Sequence, residues 1–452
     1  MIYQHIYILY ATIFLLYICN FFLTLAMLDY VLGISAIFLF IIAFFKATTI
    51  FKTLGVLFTV IGSILYMTTT VTFAELLLVL TDNYGLLTLF MMLSWMNSIV
   101  RSGGYDFLLS KIMKVNAQDM GTLYNRSSIS TFSLGTFLNL PAITISQDII
   151  KANLKSSSKQ LRNRFVNLAS VRSYTMALLW SPLEIVVAVG IFVTGVRYID
   201  VLPWLLVVVV MMFILDNLIG KFRFKKYEYK ETVNKTFTKK DGKKLSGLLL
   251  ALALFLMVII LAGNIEKLDF IMTITLVIIP FTFIWAIILK RLKRFTVVGW
   301  HAWKNGVNSM HNFIVLFISL ALFSNGITHS AISTYIYEFI LRFADTPLLL
   351  MFMIQLFILI MSLFGIHAIA SIGILSGLMV PLLEIIDPVS LAIVIIIGSV
   401  STFAVSTYGL LVTITSVNTA QNPYRITLDN LFFTVLLGSI GTLIAYGLMI
   451  LG

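Results

Sequence analysis

Residues 122–150 read TLYNRSSISTFSLGTFLNLPAITISQDII, and their flanks decide the fold. Arg101, Lys111 and Lys114 precede the stretch, and Lys151, Lys155, Lys159, Arg162 and Arg164 follow it. Lysine and arginine mark the cytoplasmic ends of membrane segments. Both ends therefore belong on the cytoplasmic side, and one crossing cannot start and finish there. Two arms of about 12 residues reach roughly 18 Å at about 1.5 Å per residue, well short of a hydrocarbon core about 30 Å thick. The stretch is predicted to be a re-entrant hairpin that enters from the cytoplasm and turns near the midplane. Gly135 to Pro141 supply the glycine and proline a tip needs. Irregular backbone at that depth is tolerated only where protein or water covers it.

The rest of the chain has the same character. Of its 452 residues, 60% are hydrophobic and 11% charged. Apolar stretches of about 20 residues recur from end to end, each long enough to cross a bilayer. A soluble globular protein could not absorb so much apolar surface. A transmembrane β-barrel would alternate apolar and polar residues with period two, and these runs do not. The chain reads as an all-α polytopic membrane protein. The single cysteine, Cys19, cannot form an internal disulfide. Residues 1–25 have no positive leading segment and no small-residue cleavage site, so they read as a retained helix. The net charge of +12 does not point to nucleic acid. Its two densest clusters, Lys221–Lys244 and Lys290–Arg294, abut apolar spans and read as orienting signals, with attraction of the 221–244 loop to anionic lipid as a side effect.

With basic residues placed in the cytoplasm, the spans fall at 6–25, 29–45, 54–80, 85–100, 172–198, 201–220, 245–262, 269–289, 306–327, 388–419 and 429–450. Residues 347–384 are bounded by Asp345 on one side and by Glu384 and Asp387 on the other, all acidic. They read as a second hairpin, entering from outside, with its tip near Gly365-Ile366-His367-Ala368. Only Arg197, Lys267 and Arg342 of the 31 basic residues fall outside. The expectation is 11 transmembrane helices plus two re-entrant hairpins, N-in/C-out, in the cell (inner or plasma) membrane.

Residues 1–28 then form an extra N-terminal helix. Residues 29–220 give three spans, a hairpin (122–150) and two spans. Residues 221–244 form a basic cytoplasmic linker, and 245–450 repeat the pattern around the hairpin 347–384 with opposite orientation. This is an inverted repeat, the usual construction of secondary transporters. Leu89–Ser102 resembles Leu316–Ser330, and Ser133-Leu134-Gly135 resembles Ser362-Leu363-Phe364-Gly365.

The fifth span of each half carries a break. In Trp180-Ser181-Pro182-Leu183-Glu184 the proline interrupts the helical ladder, with Ser181 expected as N-cap, Pro182 in the first turn and Glu184 at the capping-box position. The second half holds Ser399 to Gly409, rich in hydroxyls and expected to be unwound. Helix ends at the midplane offer partial positive charge to an anion, and unwound carbonyls offer oxygens to a cation.

This layout resembles the ion transporter superfamily and is most similar to its divalent anion/sodium symporters, over nearly the whole chain. Those proteins carry Ser-Asn-Thr at both hairpin tips. Here the tips offer Thr136 and Asn139, and Gly365, His367 and Ser371, while Ser416-Val417-Asn418-Thr419 stands near a span end. The resemblance implies an elevator-type mechanism, in which hairpins and final spans move against a dimeric scaffold.

The expected function is cation-coupled movement, by Na+ or H+, of a small polar or anionic solute. A monovalent cation/proton antiporter, or the membrane subunit of a binding-protein-dependent transporter, is the alternative, with a membrane enzyme or scaffold more remote. No Walker A sequence and no metal-ligand spacing occurs, and no cofactor is expected beyond a coupling ion. The expected partners are the substrate, the lipid bilayer and a second copy in a homodimer. The candidate site comprises Thr136, Asn139, Ser181, Glu184, Gly365, His367, Ser371, Ser401, Thr402, Ser406 and Thr407, with Na+ at the Gly135 and Gly365 tips. Glu184 is the most central acid, and His367 is a candidate proton relay; a helix cap and a locally bonded histidine are the competing readings. Asp148 is expected at the interface, Asp216 to snorkel, and Arg126 and Arg172 to flank the cytoplasmic mouth.

Overall fold

The structure, a computed structural model, describes residues 5–69, 71–105, 119–138, 140–229, 238–263 and 268–451. In chain order the helices are α1 Ile6–Leu23, α2 Ala26–Lys46, α3 Thr49–Met67, α4 Phe73–Val79, α5 Tyr84–Ser102, α6 Met120–Leu138, α7 Leu140–Asn153, α8 Lys159–Val166, α9 Arg172–Leu178, α10 Ile185–Thr194 and α11 Tyr198–Phe224. They continue as α12 Lys239–Ala262, α13 Phe270–Ile288, α14 Leu292–Asn308, α15 His311–His329, α16 Ile332–Leu341, α17 Pro347–Leu363, α18 Ala368–Ser376, α19 Met379–Ile385, α20 Pro388–Ser401, α21 Leu410–Thr419 and α22 Pro423–Leu451. Among the described residues nine segments are long and apolar enough to cross a membrane, and they overlap nine of the eleven expected spans. The other two expected spans are pairs of shorter helices, α9 with α10 and α20 with α21.

Several boundaries differ from the sequence expectation. The span placed at 54–80 is Thr49–Met67, because Thr72 and Glu75 form a capping box that starts α4 afresh. The span placed at 306–327 begins at His311, and the amphipathic α14 precedes it. Part of the expected linker is helical, since α11 runs to Phe224 and α12 starts at Lys239. The return arm of the hairpin 347–384 is not straight: α18 and α19 meet at 80°.

The chain forms two compact units, and each draws on both halves of the sequence. The first comprises Met1–Ser98, Ala262–Thr346 and Ile372–Ile386. Its centre is α3 packed along α15. The second comprises Ile99–Leu261, Pro347–Ser371 and Asp387–Gly452. It holds the first hairpin, α17 with the second tip, both broken helices and α22.

In the second unit α20 is the central element. Asp387 accepts hydrogen bonds from the Val389 and Ser390 amides at 2.9 and 3.2 Å, and Pro388 fills the first turn. Every residue of α20 from Ser390 to Ser401 is buried. A helix apolar all round belongs in a core, and α10, α11, α17 and α22 pack about it. Within the stretch 122–150, helices α6 and α7 pack on each other. Asp119 starts α6 by accepting bonds from the Thr122 amide and hydroxyl at 2.9 and 2.7 Å. Partial burial pulls the Asp119 carboxyl up, but those bonds outweigh it and hold it below the usual carboxylate value.

Candidate functional site

The first break lies between α9 and α10. Helix α8 continues through a π-helical turn, Asn167–Val171, into α9, and the whole of that turn and of α9 is buried. The helix then stops at Leu179. Ser181 to Glu184 form a tight turn closed by the Glu184 amide donating to the Ser181 carbonyl at 3.1 Å, with Pro182 in its second position. The Ser181 hydroxyl accepts from the Leu183 amide at 3.3 Å. The expected capping arrangement is therefore corrected. Pro182 sits in a turn rather than in the helix, so the N-cap position of α10 passes to Glu184. The Glu184 carboxylate lies by the Val186 amide of that first turn without closing a capping bond of ordinary geometry. It is 7% exposed, and among the described residues no cation forms an ion pair with it. A buried charge without a paired partner is costly. Trp180 adds a buried indole N–H with no acceptor among the described residues.

The second break lies between α20 and α21. Residues Thr402–Ala404 make one 3₁₀ turn, and Gly409 starts α21. The hydroxyls here mostly serve the backbone. Ser401 and Thr402 donate to the Gly398 and Ser399 carbonyls of their own helix at 2.9 and 2.7 Å. Thr434 and Thr427 of α22 donate to the freed carbonyls of Ser401 and Val405 at 3.0 and 3.1 Å. Thr407 pairs with Thr427 at 3.0 Å, and Ser406 donates to the Ser362 carbonyl at 3.3 Å. Broken backbone in a membrane needs such side-chain partners. The Ser399 hydroxyl is buried without one among the described residues.

Gly135 and Gly365, expected at the two tips, each lie beside one of the breaks. Gly135 lies against Ala177 and Tyr174, just before the first break; a methyl group there would stand 3.0 Å from both side chains. Thr136 is buried beside it, its hydroxyl donating to the Phe132 carbonyl at 3.0 Å. Asn139 lies outside the described residues. At the second tip Gly365 adopts φ +86°, a left-handed conformation that glycine accepts without strain, and faces the Tyr408 ring. His367 accepts from the Ile369 amide at 3.3 Å at the start of α18, and its ring lies 6.4 Å from that of Phe403. Ser371, one turn further on, has a buried hydroxyl without a partner among the described residues. The two breaks also meet, since α9 packs on the Thr402–Ala404 turn and on α20. The second unit thus holds Thr136, Ser181, Glu184, Gly365, His367, Ser371, Ser401, Thr402, Ser406 and Thr407, with the two interrupted helices in contact through α9.

Sequence reasoning missed two polar networks in this unit. Arg172 is buried. Its guanidinium reaches the Asp216 carboxylate at 2.8 Å, Asn430 Oδ1 at 3.0 Å and the Asp429 carbonyl at 2.8 Å. Asp216 does not snorkel, because this cation and the Tyr124 hydroxyl, donating at 2.7 Å, hold it inside. The second network joins the hairpin to α21. The Gln147 amide donates to Thr415 and Ser170 at 2.8 and 3.2 Å, and its carbonyl accepts from Asn418 at 3.0 Å. Lys151 caps it by donating to Asn418 Oδ1 at 2.8 Å, and pairs with the exposed Asp148 at 2.9 Å. The one hint of this network in the sequence is polar spacing of four residues, Gln147 and Lys151, on a hairpin arm.

No family model matches the sequence, and no curated protein matches it. Solved structures do share the fold. The YdaH transporter of Alcanivorax borkumensis superposes with a TM-score of 0.60 at 13% identity, covering 88% of this chain and 98% of its own. MtrF of Neisseria gonorrhoeae, described as illuminating a class of antimetabolite efflux pumps, gives 0.55 at 12% identity, covering 80% of this chain and 82% of its own. The chain has the all-helical fold of these membrane transporters.

Proposed function

We propose that this chain is a secondary active transporter of the cell membrane, coupling Na+ or H+ to the movement of a small polar or anionic solute. The observation that carries the reading is Glu184: a buried carboxylate at the start of a half-helix, with no paired cation among the described residues. An ionisable group at membrane depth is functional by default. Glu184 would bind the coupling ion, as a proton or with Na+ ligated by the unwound carbonyls. The amino ends of α10 and α21 offer partial positive charge of about half a unit each to an anionic group of the solute. The shared fold of YdaH and MtrF supports this reading.

In this proposal the chain spans the membrane eleven times with two hairpins, N-in/C-out, as an inverted repeat and a homodimer. The second unit carries the site from side to side in an elevator-type cycle, as in the divalent anion/sodium symporters. The chain performs no covalent chemistry. A second reading, export in exchange for protons or Na+, draws on the description of MtrF as belonging to an efflux class. A monovalent cation/proton antiporter would use the same carboxylate.

The test is solute accumulation by proteoliposomes under an imposed Na+ or proton gradient, read by mass spectrometry on a mixture of small acids and amino acids. Gradient-dependent uptake or loss of one solute class supports the proposal, and its sign separates import from export. Equilibration of solutes at a rate indifferent to both gradients would make the chain a facilitator.

A further inference from the structure

The corner between α13 and α14, in the first unit, holds four cations in five residues: Lys290, Arg291, Lys293 and Arg294. The backbone fixes them in place. Lys290 adopts φ +54°, and the amides of Lys290 and Arg291 donate back to the Ile287 and Ala286 carbonyls, both at 2.9 Å. This closes the end of α13 and starts α14 at once. Arg291, Lys293 and Arg294 are exposed, and none of the four side chains has a hydrogen bond or ion pair with a described residue.

Helix α14 is two-faced. Phe295 and Gly299 are buried, with the Phe295 ring 5.5 Å from Trp95 and 5.1 Å from Phe283. Val297 and Trp300, off that face, and Leu292, at the first turn, are exposed. Trp300 and Trp303 stack at 5.1 Å, the Tyr7 ring meets both edge-on, and the Lys304 ammonium lies 5.0 Å from that Tyr7 ring. Tryptophan and tyrosine mark the headgroup level of a bilayer, and an amphipathic helix with cations beside its apolar face lies in that plane.

We infer that this corner is a binding site for anionic phospholipid, with the headgroup phosphate held by Lys290, Arg291, Lys293 and Arg294 and the acyl chains lying along Leu292, Val297 and Trp300. Charge alone would orient the helix without choosing a lipid. What selects the anionic headgroup is the clustering of four cations, unpaired among the described residues, within five residues of one fixed turn, beside exposed apolar side chains at headgroup depth. The inference rests on the first unit only and is independent of the transport reading.

The test uses full-length protein in nanodiscs of phosphatidylcholine and phosphatidylglycerol, with bromine on the acyl chains of one lipid or the other. The quenching that Trp300→Phe removes reports the lipid beside α14. The expected result is a preference for brominated phosphatidylglycerol, falling by up to about fivefold for each cation changed to glutamine. It should survive the charge-conserving variant Lys290→Arg/Arg291→Lys/Lys293→Arg/Arg294→Lys. It should also fade in the unaltered protein as salt approaches about 1 M, where screening acts within about 3 Å. That salt titration stands even if the glutamine variants insert wrongly. Equal quenching by the two lipids in low salt would overturn the inference. So would a preference that survives all four glutamines, or displacement of phosphatidylglycerol by millimolar inorganic phosphate.

Discussion

Arg172 and Asp216 meet at 2.8 Å with their side chains 8% and 1% exposed, tying the first broken helix to α11 inside the second unit. Asn430 and the Asp429 carbonyl complete the guanidinium's shell from α22. Removing one partner of a buried pair leaves the other charge stranded, which costs about 3–5 kcal/mol. Arg172→Met is therefore expected to lower the thermal midpoint of the purified protein sharply. Arg172→Met/Asp216→Leu should recover most of the loss. A midpoint that Arg172→Met leaves in place would show that the pair is not buried as described.

Thr427 holds the second break from outside it, donating to the Val405 carbonyl and pairing with Thr407. Thr427→Val keeps the shape and removes both bonds. An orphaned buried carbonyl costs about 1–3 kcal/mol. The expected outcome is faster amide hydrogen exchange across 402–409 and reduced transport, with Thr427→Ser close to normal. Unchanged exchange in Thr427→Val would count against this role.

Gly365 should not tolerate alanine. A left-handed residue with a side chain is strained by roughly 1–2 kcal/mol, and the new methyl would stand 3.1 Å from Tyr408. Exchange at 364–367 is expected to rise in Gly365→Ala. Tyr408→Ala should relieve only the contact, so the double variant stays destabilised. Full recovery in the double variant would mean that the contact, not the backbone, sets the preference.

How much of this was legible follows from the physics of each element. Proline at 182 and the hydroxyl run ending at Gly409 mark both breaks, because a helix interrupted in a membrane needs a residue that breaks it and partners for the freed carbonyls. The doubly basic flanks of 122–150 point to the hairpin. The Arg172–Asp216 pair was hidden: its members lie 44 residues apart, and each stands near a basic boundary that explains it without burial. The 80° bend between α18 and α19 has only Gly377 to announce it, and α14 is hard to see because the cations at its start also serve as an orienting signal. The roles of Ser401 and Thr402 were half legible. Their depth is visible in the hydropathy, but that they bond their own helix rather than face a ligand depends on rotamers.

The orientation of the first hairpin can be measured directly. In a Cys19→Ser background, Gln118→Cys and Lys155→Cys should each react with a membrane-impermeant thiol reagent only when the cytoplasmic face is open. Labelling of either from outside would remove the hairpin topology and the inverted repeat built on it.

The most direct test of the central claim is transport by Glu184→Gln in proteoliposomes, beside the unaltered protein, with Na+ and proton gradients imposed separately. Glutamine keeps the shape and removes the charge. The account predicts that the unaltered protein concentrates its solute only when one of the gradients is present. It predicts that Glu184→Gln, reconstituted at the same level and with the same thermal midpoint, concentrates none under that gradient. Accumulation by Glu184→Gln equal to that of the unaltered protein, or accumulation that persists with both gradients collapsed, would contradict it.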